Sequence, residues 1–505
     1  MDLDVFLYQL QFEPDETRPP NLEVNWKDAP LPYKLYRGLP HIPLCAEVPL
    51  TLGEQQNATV KSISHFLWYV FGLARFSQVD VQGKPVNMAR RFVPSGGALY
   101  PNELYMYIKT DDFSAGIYHY DVAHHRLVLL REGNFDDYIT KALGGSCEVT
   151  GCFGVAFVST MFWKNFFKYH NFSYRLQGLD TGVLLGHLLE VSKQFGFNGA
   201  VHFQFLDRAL GHLLTLSEEE ESVYAVVPLS VKPLEQAGNR FRQSDAGLCE
   251  TVPKLKHEHY VRSKKRIPYP QLLAMNEASM LQATDSFLCL PEHKPHFRQG
   301  NIIRLPEVKP ISYEFAEVCR KRQSPDGDFS LRKVTSEELA ILLYEAHRMY
   351  LYKNDSGITN PLVIYGCLYH VEGIPNGAYR YNYEEHALEE LNPGDHRLAL
   401  QYGMTADNVN LFQVPLCLHV VGERKHYGEL GYRGYRMQQM DAGMLVQRLL
   451  LAATSLGMGG HPLLGFDTKV CDALYGLDQH DETCLIQVPI GPYRARSKLE
   501  GSVHA

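Results

Sequence analysis

Residues 174–182 read YRLQGLDTG and residues 435–443 read YRMQQMDAG. Taken at Arg175 and Arg436 the offset is 436 − 175 = 261, and it persists from Gly196 to Gly457 and from Gly199 to Gly460. Both copies open an apolar stretch, VLLGHLLEVSKQFG and MLVQRLLLAATSLG, whose apolar residues recur at helical spacing. Each stretch ends in a glycine suited to a helix C-terminus. An internal repeat of this length divides the 505 residues into two related domains, each with its own core. Looser matches extend it. SAGIYHYDVAHHRLVLL (114–130) and PNGAYRYNYEEHALEEL (375–391) both predict hairpins, and YAVVPLS (224–230) and CLIQVPIG (484–491) predict short buried strands. The expected class is α+β, with domains at 1–230 and 306–505. Two copies in one chain are the covalent equivalent of a two-fold dimer, and ligand sites often fall at such interfaces.

Between the domains, 231–305 predicts an extended connection with a helix around PQLLAMNEASMLQA (270–283). Its basic run, KLKHEHYVRSKKRIPYP (254–270), reads as a solvated face. A net charge of −8 and a pI near 6.3 argue against a broad nucleic-acid surface. The acidic start, MDLDVFLYQLQFEPDE, is no signal peptide, and no apolar run of about 18 residues predicts a membrane span. Ten cysteines are scattered singly. The nearest two, Cys147 and Cys152, have no second pair to complete a zinc site, so reduced thiols and a cytoplasmic protein are expected.

Three stretches carry candidate ligand chemistry. EFAEVCRKRQS (314–324) predicts a short helix running into Arg320, Arg322 and Ser324 before Pro325. If extended, these three share a side and offer guanidinium forks and a hydroxyl to a phosphate. A helix C-terminus repels anions, so the side chains would supply the attraction; without a ligand the stretch is a solvated helix end. RFVPSGGALYP (91–101) places Pro94, Ser95, Gly96 and Gly97 in a loop whose small residues admit close backbone approach. On residues alone it is also an ordinary tight turn. GGHPLLGFDTKVCDALYGL (459–477) joins a glycine-rich turn to Gly-Phe-Asp before a helix.

With these stretches the chain resembles the nitroreductase superfamily, FMN-dependent enzymes of α+β dimeric fold, and so implies two tandem nitroreductase-like domains forming an intrachain pseudo-dimer. The resemblance implies that Arg322-Gln323-Ser324, with Arg320, binds the FMN phosphate. It implies that Pro94-Ser95-Gly96-Gly97 packs around the ring, and that Pro462-Leu463-Leu464-Gly465-Phe466-Asp467 covers it. It assigns the tail residues Arg494 and Arg496 to the phosphate. The copies have diverged in a complementary way. The first keeps PSGGALYP but lacks the Arg-x-Ser and Gly-Phe-Asp elements; the second has both, while its counterpart of the loop, KNDSGITNP (353–361), is degenerate. One FMN per chain at the domain interface follows, with the loop of a second chain in a homodimer as the alternative donor.

RxxPSGGALYPNELYMYI with KYxxxxYRLQxLDTG looks more specifically like the SagB/McbC/ThcOx-type branch, which includes azoline dehydrogenases. That branch carries a Lys-Tyr pair, matched here by Lys168 and Tyr169; the offset leads to Glu429 and Leu430 in the second copy. The implied reaction oxidises an azoline-like heterocycle, or a related C–N or C–S substrate, with a proton leaving carbon and a hydride going to flavin N5. Lys168 serves as base, or stays charged and stabilises a Tyr169 phenolate. Small molecules or modified peptides are the implied substrates. His170, His187 and His202 are candidates to line the site, with packing as their simpler role. Two other functions stay open: an NAD(P)H-dependent nitro- or quinone reductase, and a flavin-free scaffold subunit of a peptide-modifying complex. GMGG at 457 follows a predicted helix, so it is no Rossmann fingerprint.

Overall fold

The computed structural model describes residues 2–20, 23–54, 57–81, 84–234, 242–290, 301–348, 352, 354–357, 362–495 and 499–502. The repeat in the sequence is a repeat in topology. One seven-stranded antiparallel sheet runs in spatial order His41–Pro43, Arg126–Glu132, Phe113–Asp121, Asn102–Thr110, Gly154–Met161, Glu221–Ser230 and Asn198–Gly199. A second runs Asn301–Arg304, Ala387–Pro393, Gly377–Asn382, Val363–Leu368, Leu416–Glu423, Glu482–Gly491 and Gly459–Gly460, the same order strand for strand.

Each sheet packs against its own long helix, Ser173–Gln194 or Gly431–Ser455, and the two helices pack against each other at the centre of the molecule. After each helix comes a glycine at φ +71°, Gly196 and Gly457, where L side chains are strained. The repeated motif explains the close crossing. A Cβ on Gly182 would overlap the carbonyl of Met440, and one on Gly443 would overlap the carbonyl of Leu179. The fold is therefore α+β and doubled about a pseudo-two-fold axis through this crossing.

The domains exchange their ends, which the sequence division at 230 and 306 does not anticipate. The helix Leu3–Phe12 lies on the second domain, where Gln11 Nε2 donates to Thr483 Oγ1 (3.0 Å) and to the Cys484 carbonyl (2.8 Å). Leu499–Ser502 pairs with the first domain's hairpin at Arg75–Val81. Asn301–Arg304, assigned to the connection by sequence, is an edge strand of the second sheet.

The connection holds the expected helix, Pro270–Ala278, and before it an extended strap. The strap is tied to the N-terminal segment: the Tyr260 N–H donates to the Leu35 carbonyl (2.8 Å) and the Arg37 N–H to the Glu258 carbonyl (3.1 Å). The N–H groups of Lys264 and Lys265 donate to the Asp28 carboxylate at 2.8 and 2.9 Å. All ten cysteines are free thiols, and among the described residues no helix is long and apolar enough to cross a membrane.

Candidate active site

The loop after the strand Lys84–Arg90 is anchored on both sides. Before it, buried Arg91 stacks on Phe71 (3.6 Å to the ring centroid) and Tyr100 (4.8 Å), and its Nη2 donates to the Pro32 carbonyl (2.7 Å). Within it, Ser95 Oγ donates to Asp180 Oδ2 (2.6 Å), the Gly96 N–H donates to Asp180 Oδ1 (3.1 Å), and the Tyr100 N–H donates to Ser95 Oγ (2.9 Å). Asp180 is the aspartate of the repeated motif. Burial raises its carboxyl to about 7, against the pull of the Ser95 and Gly96 hydrogen bonds.

Gly97 has φ +64°, and a Cβ there would stand 2.7 Å from Tyr169 Oη and 2.9 Å from Lys168 Nζ. The two polar ends at the C-terminus of the helix Trp163–Tyr169 thus converge on the glycine loop. Both side chains are half-buried. Lys168 Nζ also lies over the rings of Tyr169 (4.7 Å) and Trp26 (5.5 Å), the latter from the N-terminal segment. One turn earlier, buried Lys164 pairs with Glu103 and donates to the Tyr100 carbonyl (3.1 Å), fixing the far end of the loop.

From the other domain, the helix Phe315–Lys321 delivers Arg320 and Arg322. Arg320 is still helical, so the extended i, i+2, i+4 arrangement read from sequence holds only from Arg322 onward. Arg322 Nε donates to the Phe92 carbonyl (2.6 Å), two residues before Pro94, while Arg320 Nη1 donates to the Leu50 carbonyl (3.0 Å). Arg75, which sequence patterns did not single out, donates from Nη2 to the Arg322 carbonyl (2.8 Å). Arg322 is buried and its Nη1 has no partner among the described residues. Burial first, then the positive charges of Arg75 and Arg90 beyond the offsetting Tyr100, lower its guanidinium to about 10. Ser324 is half-buried, and Pro325 after it packs on Gly459 of the glycine-rich turn.

The segment 462–467 and its counterpart 201–206 have the same backbone pairing: Leu463 bridges Gln487 as His202 bridges Val226. They differ in what faces them. In the first copy the Phe203 and Gln204 N–H groups each donate to the Asp355 carboxylate at 2.9 Å, and Arg433 Nε donates to the Phe203 carbonyl (2.8 Å). In the second copy no acceptor among the described residues reaches the equivalent N–H groups of Leu464 and Gly465. Subtracting the offset from Asp355 gives 355 − 261 = 94, the first residue of the Pro94–Gly97 loop. One interface site is plugged by its own carboxylate, and the other keeps two open backbone donors.

The remaining candidates are placed as follows. Pro462 precedes the open donors. The Arg494 N–H donates to the Asp328 carbonyl (2.9 Å) and its side chain is exposed. Arg496 lies outside the described residues, as does most of 353–361. His187 is a core residue: its ring meets the Tyr69 carbonyl (2.9 Å) and Gln447 Nε2 (3.1 Å), and burial lowers it to about 4. His202 sits 3.8 Å from Asp355, at the plugged site. Asp180 was visible as a repeated aspartate; Trp26 and Arg75 had no motif to mark them.

Comparison with known proteins agrees with this fold. Residues 328–492 match the Nitroreductase family. A nitroreductase-type protein of Methanocaldococcus jannaschii, MJ1384, is 29% identical over 198 residues, 37% of this chain and 95% of its own. The microcin B17-processing protein McbC of Escherichia coli is 30% identical over 149 residues, 28% of this chain and 53%, about half, of its own. A solved nitroreductase-type structure from Anabaena variabilis superposes with a TM-score of 0.77 at 21% identity, covering 97% of this chain and 99% of that one. The fold is that of the nitroreductases, present twice in a single polypeptide. The second half of the chain matches the Nitroreductase family, and part of the chain is similar to the microcin-processing protein McbC.

Proposed function

We propose that this protein is an FMN-dependent oxidoreductase with one flavin per chain, acting as a dehydrogenase on azoline-like rings of a modified peptide. The observation that carries this reading is the convergence at Gly97. Lys168 Nζ and Tyr169 Oη reach the glycine loop of one domain, while Arg322 of the other binds the Phe92 carbonyl at the start of that loop.

The residues fit the cofactor. Arg322 Nη1 is a buried donor without a partner, and with Arg75 and Arg90 near it, it suits a phosphate. The open N–H groups of Leu464 and Gly465 suit flavin heteroatoms, and Gly96 and Gly97 admit a flat ring close to the backbone. At the plugged site the Asp355 carboxylate occupies the equivalent donors, which supports one cofactor and not two.

When bound, FMN supplies a hydride acceptor at N5. The chain supplies position and proton transfer. The Lys168–Tyr169 pair takes the proton that leaves the substrate carbon, with Lys168 as a neutral amine or as a cation beside a Tyr169 phenolate. Trp26 covers Lys168 Nζ, and the loop is held to Asp180 and to Lys164 so that Gly97 stays against the pair. The similarity to a microcin-processing protein supports a peptide as the carrier of the ring.

The test is the visible spectrum of the purified protein, with released flavin identified and counted, followed by turnover of an azoline-containing peptide. One FMN per chain and azole formation support the proposal. Two per chain refute the plugged site. Flavin reduction by NADPH with no azoline turnover replaces the dehydrogenase by a nitro- or quinone reductase, and absence of flavin after FMN addition leaves a scaffold subunit.

A further inference from the structure

The basic strap 254–266 was read from sequence as a solvated face, but its placement is not that of a free loop. Along its length it lines two cavities in succession. Leu255 and His257 line an apolar cavity of about 400 Å³ with Leu39, Leu129 and Phe135. His259 to Arg262 line a smaller one of about 40 Å³ that is closed by Trp163 and Lys164, the first turn of the helix that ends in Lys168 and Tyr169. The larger cavity lies within the size range of ligand pockets, about 300–1,000 Å³.

Around His259 the strap pairs along one edge, with residues 35–37, and further on the Lys264 and Lys265 N–H groups are held by Asp28. Backbone alternation turns the N–H and C=O groups of His259 and Val261 to the other edge, where no partner reaches them among the described residues. Its side chains are six cations, Lys254, Lys256, Arg262, Lys264, Lys265 and Arg266, against the single carboxylate of Glu258, in a chain whose net charge is −8. Among the described residues only Arg266 of these six makes an ion pair, with Glu220 at 2.7 Å. Leu255, Tyr260 and Val261 are exposed at 38%, 41% and 41%. An open strand edge, unpaired cations and an apolar cavity at one end match strand addition by an extended peptide with an apolar anchor.

We infer that the strap is the docking site of an acidic, extended peptide. Its apolar residue fills the cavity at Leu255, its carboxylates meet Lys254, Lys256 and Arg262, and its chain runs toward the Lys168–Tyr169 pair. From Leu255 to Arg262 an extended chain spans roughly 23 Å, about seven residues of a bound peptide. The inference rests on the peptide-processing reading for the class of the partner, while the docking surface stands on geometry and charge alone.

The test is fluorescence anisotropy of the flavin-loaded full-length protein with a labelled peptide of about a dozen residues, one Phe followed by alternating Glu. Its Lys-for-Glu counterpart is the control. The expected result is saturable binding of the Glu peptide only, weakened about tenfold or more by Lys254→Glu with Lys256→Glu and Arg262→Glu, and also by Leu255→Asp. Leu255 is exposed, so the latter variant retains the fold, and the flavin count of every variant stays at the wild-type value. Equal binding of the Lys peptide, of a single-stranded oligonucleotide of matched charge or of anionic vesicles overturns the inference, as does unchanged affinity in the variants. Peptide binding without azoline turnover sinks the proposed reaction and leaves the docking site standing; azoline turnover unaffected by the strap variants does the reverse.

Discussion

Gly182 and Gly443 meet at the crossing of the two core helices, where a Cβ added to Gly443 would stand 2.9 Å from the Cα of Gly182. They are related by the same offset of 261 that relates Arg175 and Arg436. The backbones touch, so neither position has room for a methyl group. Overpacking in a close-packed core costs typically 1–3 kcal/mol, and more where the obstacle is backbone. Gly182→Ala and Gly443→Ala are each expected to lower stability by about 3 kcal/mol or more in urea titration. Gly211→Ala, in a helix with nothing within 4 Å of the new Cβ, is the control and is expected to be neutral or stabilising.

Arg322 joins the two domains through the Phe92 carbonyl and keeps a buried Nη1 without a partner. Hydrogen bonds to charged groups contribute about 1.5–3 kcal/mol. Arg322→Ala is therefore expected to weaken FMN binding about 10- to 100-fold, read by flavin fluorescence on titration. The two open donors at Leu464 and Gly465 remain, so binding is reduced and not abolished. Wild-type affinity in the variant would remove Arg322 from the phosphate site.

The parts of this architecture that were legible in sequence are those written as short-range patterns. The core helices and their glycine stops follow from helical spacing over 174–196 and 435–457, and the hairpins at 114–130 and 375–391 from alternation. The exchanged ends were not legible. Nothing in LDVFLYQLQF states that it packs on Thr483, and nothing in the tail states that it pairs with Arg75–Val81. Asp180 was conspicuous as a repeated aspartate, but its partners Ser95 and Gly96 lie in a distant loop. The opposite fate of the two 462–467 copies depends on Asp355, whose contact with Phe203 and Gln204 is created by the fold. The Lys168–Tyr169 pair came from family resemblance, and the convergence on Gly97 is what geometry adds to it.

Lys168 Nζ and Tyr169 Oη approach the same glycine, so their variants separate proton transfer from binding. A positioned acid or base contributes typically 10²–10⁴-fold. Lys168→Ala is expected to keep one FMN per chain and lose turnover by about that factor, measured in single-turnover flavin reduction. Tyr169→Phe retains the ring under Lys168 Nζ and removes the hydroxyl, so a comparable loss would identify the phenol as a proton carrier. Full activity in both variants would take the pair out of the mechanism.

Asp441, the second copy's counterpart of Asp180, accepts a hydrogen bond from Tyr427 Oη (3.0 Å). Burial raises its carboxyl to about 7; the Tyr427 bond works against the rise and the charge of Asp355 adds to it. The unfolded value is near 3.9, so the folded state binds the proton more tightly and holds it between about pH 4 and pH 7. The stabilisation is therefore fully present below pH 4 and is lost as pH rises through 7. At about 1.4 kcal/mol for each pH unit in that window, the loss is on the order of 4 kcal/mol at most. Asp441→Asn keeps an acceptor for Tyr427 without the titration. Its Tm relative to wild type is expected to climb from pH 4 to pH 7 and then level off. The titration of Asp180 is common to both proteins and cancels in the comparison, so a difference that stays flat across this range would mean that Asp441 ionises as freely in the fold as in the unfolded chain.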